Sequence, residues 1–436
     1  MRRSALLLAT LAGLCATPAL AAAPPRLAHQ AALAADPAAT AWILTSTALV
    51  LLMTLPGLAL FYGGMVRRKN LIGAIAHSTA ALALVTVLWF VAGYSLSFGT
   101  GPAAINGLVG GLDALFLNGV TPATAHGLAP GLPEFLWIAY QLTFAIITPA
   151  LIAGAFAERI KFSASLLFFA LWHLLVYAPI CHQVWGGGWM GSLGVLDFAG
   201  GAVVHVNAGV AGLVAALVIG PRHGFGRDNM APHNLGLTAI GAGLLLVGWL
   251  GFNAGSAWAA DAIAAVAAFN TLLAAAAGVI GWTAVEWIDH RRPTLLGMLS
   301  GLVAGLVGVT PAAGLVDPKG AFLIGLICGP ACYAGAVWLK RALKYDDSLD
   351  AFGVHGVGGM VGAVLTGVFA SAAINPAAAN ANVLNQLIGL AAVAAWSGIG
   401  TFVILMICRF TTGLRVTKEE EIEGLDYTQH GETLHP

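Results

Sequence analysis

Two histidines of this chain stand where a titratable ring is costly to keep. His205 and His355 each enter a long apolar run, and each follows an aspartate, Asp197 or Asp347, by eight residues. The first run, 203–219, is long enough for most of a membrane span, so a polar ring near its head needs a reason. One reading of such a histidine is a packed side chain bonded to a helix carbonyl. A matched pair favours another. Two neutral imidazoles can share one N–H···N bond, each keeping one donor and one acceptor. Such a pair gives a small polar solute hydrogen bonds without a fixed charge that would repel or trap ions.

The aspartates suit helix starts, where a carboxylate accepts backbone N–H bonds and faces the positive end of the dipole. Asp347 and Asp350 are expected to cap only. Asp197 is expected to cap and also to draw cations to an outer mouth. Phe144, Trp185, Trp249 and Phe252 fall on different spans or at span ends. Most of the 12 tryptophans fit the role of interfacial anchors. Trp185 and Phe252 differ in being flanked by glycines (WGGG and GFNAGSAW), and a ring beside the Ser256 hydroxyl could form a cation–π vestibule. His182 reads as interfacial, His173 as a bonded packing residue, and His77 carries no assignment. Glu158, Arg159 and Lys161 read as a solvated ion-pair turn.

The elements that must position these residues follow from composition. The chain is 59% hydrophobic and 9% charged, against roughly 25% charged residues in soluble domains. Apolar runs near 20 residues recur along its length. The fold class is therefore all-α and polytopic, with helices spanning a membrane. Fifty-six glycines suit close helix contacts in lipid. A formal net charge of zero and the lack of a basic stripe argue against a nucleic-acid partner. Cys181, Cys328, Cys332 and Cys408 lie in or at spans without metal-ligand spacing, and read as packed hydrophobes. No metal or cofactor is expected.

Residues 1–21 resemble a cleaved secretory signal, with Arg2 and Arg3 before LLLATLAGL and small residues at its end. Cys15 leaves with it. Eleven spans follow, at about 41–64, 71–98, 134–156, 162–182, 200–220, 234–252, 262–287, 295–311, 320–340, 353–370 and 386–408. With the mature N-terminus outside, 15 of the 19 Lys and Arg residues fall inside, as the positive-inside rule requires. Outside lie only Arg26 and Lys319, and the outer loop 99–133 contains no cation. His205 then sits on an inward span and His355 on an outward one. Spans one to five and six to ten read as an inverted five-helix repeat (about 41–220 and 234–370) with one extra helix at 386–408, the site lying at the interface of the halves. The membrane domain covers 22–410, and 411–436 is a polar cytoplasmic tail.

Several segments carry a resemblance: PGLALFYGGMVRRKN (56–70), PALIAGAFAERIKF (149–162), VWGGGWMGSLGVLDFAGGAVVHVNAG (184–209), GWLGFNAGSA (248–257), GLVGVTPAAG (305–314) and DAFGVHGVGG (350–359). Together with the tail they resemble the ammonium transporter (Amt) family in its bacterial form, over nearly all of the mature chain. The resemblance implies a non-enzymatic transporter of the inner membrane, eleven spans, a homotrimer and one hydrophobic pore per subunit. It implies that His205 and His355 form a twin-histidine pair. It implies a recruitment site at Trp185, Ser256 and Phe144, a phenyl gate at Phe144 and Phe252, and the family's aspartate at Asp197. Phe61, Tyr62, Tyr177, Trp249 and Thr310 resemble further pore-lining positions. It also implies a cytoplasmic PII-type regulator, and methylammonium as an analogue of ammonium.

The mechanism this suggests agrees with the physical reading. An aromatic vestibule holds NH4+, a dry pore strips its proton, and NH3 passes the histidines, which assist the proton's route. Desolvating an ion in an apolar bore is expensive, whereas a neutral amine crosses at modest cost. K+ has no proton to release and is rejected. Two other classes compete. Paired intramembrane histidines could ligate haem for electron transfer, and a sensor of ammonium would be expected to carry a fused signalling domain.

Overall fold

The computed structural model describes residues 27–434, so the signal expected at 1–21, with Cys15, and Arg26 lie outside the described residues. Among the described residues ten helices are long and apolar enough to cross a membrane: α1 Pro37–Met65, α2 Arg68–Phe98, α3 Glu134–Phe156, α4 Phe162–Leu193, α5 Gly201–Ile219, α6 Leu235–Ala257, α7 Ala262–His290, α9 Pro318–Leu343, α10 Ala351–Phe369 and α11 Val383–Thr411. The segment expected as the eighth span is a shorter apolar helix, α8 Leu295–Val309. Its 15 residues reach about 22 Å at about 1.5 Å per residue, less than the roughly 30 Å of a hydrocarbon core.

Most of these starts have a chemical signature. Asp36 accepts from the N–H groups of Ala38 and Ala39 at 2.9 and 3.0 Å, with Pro37 next in line. Asn234, Asp261, Thr294, Asp317 and Asn382 cap α6, α7, α8, α9 and α11 in the same way. Each cap satisfies an orphan amide at the first turn. α7, α8 and α9 meet through glycine: a Cβ on Gly278 would run into the backbone of Gly301 and Gly305, and one on Gly329 into that of Gly278. Such close backbone approach substitutes for the hydrophobic drive that lipid withholds.

The loop 99–133 is tied down. A two-stranded antiparallel sheet joins β1 Gln30–Ala32 to β2 Thr124–His126. His182 is fully buried: its ring bonds the carbonyls of Ser97 and Asn106 at 3.0 and 2.6 Å and so anchors that loop. The polar tail is docked as well. Two short helices, α12 Lys418–Glu423 and α13 Leu425–His430, lie against the start of α2. Asp426 accepts from the Gly73 N–H and Asn70 from the Leu425 N–H, both at 2.9 Å.

Beyond the end of α3 the expected solvated turn at Glu158 is instead a buried ion network. Arg159 is 0% and Glu158 2% exposed. Arg159 donates to the carbonyls of Ala155, Ala157, Gly220 and Asp346. Glu158 pairs with Arg67 at 2.9 Å and Arg222 at 3.0 Å, and Arg222 grips Asp346 at 2.8 and 2.9 Å. The charges survive burial because each is matched by an opposite charge or by carbonyls.

Candidate functional site

α5 and α10 begin alike. The Asp197 carboxylate accepts four backbone N–H bonds at 2.6–3.0 Å, from Gly200, Gly201, Ala202 and Val203. Asp347 accepts from Ala351 and Phe352 at 3.1 and 2.7 Å. Each aspartate stands four residues before its helix, and each histidine is the fifth residue of a wide, π-type opening turn, Gly201–Val206 or Ala351–Gly356. Such single turns are frequent at functional sites. Asp350 does not cap: its backbone is left-handed, its side chain makes no cap bond, and its carboxylate pairs with Lys340. Burial drives the carboxyls of Asp197 and Asp347 up to about 6, with the backbone N–H bonds opposing the shift in both.

The two rings meet. Nδ1 of His205 lies 3.2 Å from Nδ1 of His355, with ring planes 18° apart. One Nδ1 donates and the other accepts, so the Nε2 atoms have opposite roles, one acceptor and one donor. The contact leaves no room between the rings for an iron porphyrin. Around them lies a narrow space of about 10 Å3, bordered by Met53, Phe61, Ile147, Leu245, Trp249 and Val303. That is about the volume needed for one water. Trp249 stacks on His205 at 5.3 Å and donates its indole N–H to Thr310 Oγ1 at 2.9 Å.

Rings lead from this chamber to a wider cavity. Phe252 is 6.0 Å from His205 and 4.3 Å from Phe144, and Phe144 meets Trp185 edge-on at 5.7 Å. Phe144, Trp185, Asp197 and Ser256 all border a cavity of about 290 Å3. Trp185 donates to the Asp197 carbonyl at 2.8 Å. The Ser256 hydroxyl donates to the Phe252 carbonyl at 2.9 Å, which leaves its oxygen lone pairs to accept.

Some residues lie elsewhere. Tyr62 is one position after Phe61 but borders a separate small cavity with Asn70, His77 and Glu158, its hydroxyl donating to the Leu151 carbonyl at 3.1 Å. Tyr177 stacks at 5.8 Å on His173, outside the cavities that hold the other residues. His173 is not the bonded residue expected: both ring nitrogens are buried without a partner, among Trp89, Tyr177 and the Gly93 backbone. Sequence reasoning missed Trp137, Gln141 and Trp258, which also border the wide cavity. Trp258 ends the GFNAGSAW segment, but nothing in its spacing distinguishes it from an anchor.

Comparison with known proteins gives the family. Residues 41–434 match the Ammonium Transporter Family. An ammonium transporter of Bacillus subtilis (strain 168) is 48% identical over 401 residues, covering 89% of this chain and 96% of that one. Ammonium transporter Amt1 of Archaeoglobus fulgidus is 44% identical, covering 90% and 98%. Among solved structures, Saccharomyces cerevisiae Mep2 superposes with a TM-score of 0.81 at 36% identity, covering 88% of this chain and 91% of that one. A structure described as a sensor Amt protein gives 0.83 at 27% identity, covering 90% and 98%. This chain is a multi-pass membrane protein and belongs to the ammonium transporter family.

Proposed function

We propose that this chain recruits NH4+ at Phe144, Trp185 and Ser256, removes its proton, and conducts NH3 past His205 and His355 for nitrogen uptake. The Ser256 oxygen accepts an N–H of the ion while the rings of Phe144 and Trp185 meet its charge. The Asp197 carboxylate at the same cavity favours a cation. Phe144 and Phe252 form the gate between the cavity and the bore. Within the bore, Phe61 and Trp249 exclude water, and Thr310 fixes the Trp249 indole. The histidine pair accepts and donates hydrogen bonds to the amine and assists the proton's route. K+ meets the full desolvation cost because it cannot shed its charge.

The observation that carries this reading is the run of ring contacts from Trp185 through Phe144 and Phe252 to His205, ending on the 3.2 Å contact with His355. In the same reading the chain has eleven spans. Two inverted five-helix halves, each opened by its aspartate and histidine, are followed by one extra helix, with the mature N-terminus periplasmic and the tail in the cytoplasm. The subunit assembles as a homotrimer in the inner membrane, accepts methylammonium as an analogue, and meets a PII-type regulator at its cytoplasmic face.

The test is the current across proteoliposomes on an ammonium pulse. The parent should give an ammonium signal and no K+ signal. His205→Ala and His355→Ala should each lower it at least about tenfold, the effect of about 1.4 kcal/mol on a barrier. An unchanged, ammonium-selective signal in both variants would refute the site.

A further inference from the structure

The wide cavity is far larger than ammonium needs. Its volume of about 290 Å3 compares with the roughly 10–15 Å3 of such space that holds one water, a molecule close to ammonium in size. The space beside the histidines is about 10 Å3. A cation can therefore fit the first and fail at the second.

One wall of that cavity is built in an unusual way. Trp258 has a left-handed backbone, with φ 61° and ψ 4°, a conformation that non-glycine residues rarely adopt. Its indole is braced from behind. It stacks on Trp137 at 4.0 Å and 25°, and Trp137 stacks on His126 at 4.6 Å and 4°. Tyr140 meets Trp258 edge-on at 5.1 Å. The brace covers one side of Trp258, yet the ring is only half-buried and borders the cavity. Gln141 borders it too, 3% exposed, and its Oε1 has no hydrogen-bond partner. Asp197 borders it as well, its carboxylate held by four backbone N–H bonds.

Resting on the reading of this chain as an ammonium transporter, we propose that Trp258, braced by Trp137, completes with Trp185 and Phe144 a cation–π cage for methylated ammonium ions. The series runs up to quaternary tetramethylammonium, which occupies the cavity and blocks the path. A quaternary ion presents only methyl groups, so ring faces are what can hold it. Having no N–H, it neither bonds Ser256 nor sheds a proton, and it cannot enter the bore as a neutral amine. Methylammonium differs in using both parts of the site: its N–H groups reach Ser256 and Gln141 while its methyl group lies against Trp258.

Equilibrium dialysis of labelled tetramethylammonium against the purified full chain tests the cage directly. Saturable binding, displaced by ammonium, is expected. In proteoliposomes, external tetramethylammonium should block the ammonium current. Trp258→Ala should raise the half-blocking concentration roughly tenfold relative to the half-saturating ammonium concentration, and Trp258→Tyr should restore most of the block. Absence of saturable binding, block unchanged in Trp258→Ala, or passage of tetramethylammonium would each overturn the proposal. A parent protein without ammonium current would instead overturn the transport reading, and dialysis would still decide the cage.

Discussion

Gly209 of α5 lies directly against Gly356 of α10, the residue after His355, so closely that a Cβ on Gly209 would enter the Gly356 backbone. Gly209 stands four residues after His205. Gly359, four residues after His355, faces the Gly201 carbonyl and Val206 in the same manner. The two histidine-bearing helices are therefore held at a separation that only hydrogen in place of a side chain permits.

That separation sets the first prediction. Gly209→Ala must push α5 and α10 apart, because backbone atoms cannot yield as a flexible side chain can. Overpacking of this kind costs about 1–3 kcal/mol. Thermal unfolding in detergent should show the loss. The surviving folded protein should carry ammonium poorly, since the 3.2 Å contact between the rings opens. Full activity with native stability would show that the pair tolerates separation.

The histidines should behave as one unit. Each ring defines the other's tautomer through the shared Nδ1 bond, so removing either disorganises both. The double variant His205→Ala/His355→Ala should lose little more ammonium current than the worse single variant. Residues acting together are non-additive in this way. Strict multiplication of the two single effects would mean that the rings act independently.

Arg222 is the hub of the buried ion network. Burial pushes the carboxyls of Asp346 and Glu158 up, but Arg222 beside both, with Arg159 near Asp346 and Arg67 near Glu158, holds them below their ordinary 3.8 and 4.5. Arg222→Met leaves the buried Asp346 carboxylate without its ion-pair partner, which costs about 3–5 kcal/mol. A melting temperature within error of the parent would contradict this account.

The pH dependence of stability follows from opposite signs. Glu158 and Asp346 have depressed folded values, so their contribution is present at neutral pH and is lost as the pH falls below about 4. Asp197 and Asp347 have raised values of about 6. Their contribution is complete below the ordinary 3.8 and is lost as the pH rises through 6. Stability should therefore peak near about pH 4. Asp197→Asn should flatten the decline between about pH 4 and 6, and an unchanged slope in that variant would remove Asp197 as its source.

Much of this was legible in the chain itself. Composition and the recurring apolar runs dictate a helical membrane protein, because a backbone in lipid has few ways to satisfy its own amides. Asp197 and His205, with Asp347 and His355, could be paired by spacing alone, since a helix start and a titratable ring in an apolar run are local features. Caps such as Asp36, Asp261 and Thr294 mark their helices for the same reason. What tertiary structure decided is which apolar faces meet. Met53, Ile147, Leu245 and Val303 come from four helices and look like any other span residue until they enclose the histidines. Tyr62 and Phe61 are neighbours that helix rotation sends to different cavities. Glu158 and Arg159 read as a solvated turn because their partners Arg222 and Asp346 lie some 60 to 190 residues away along the chain, brought near only when the helices pack. Trp258 had no local signal at all. Its role as a wall depends on Trp137 behind it and on a backbone turn that no periodicity encodes.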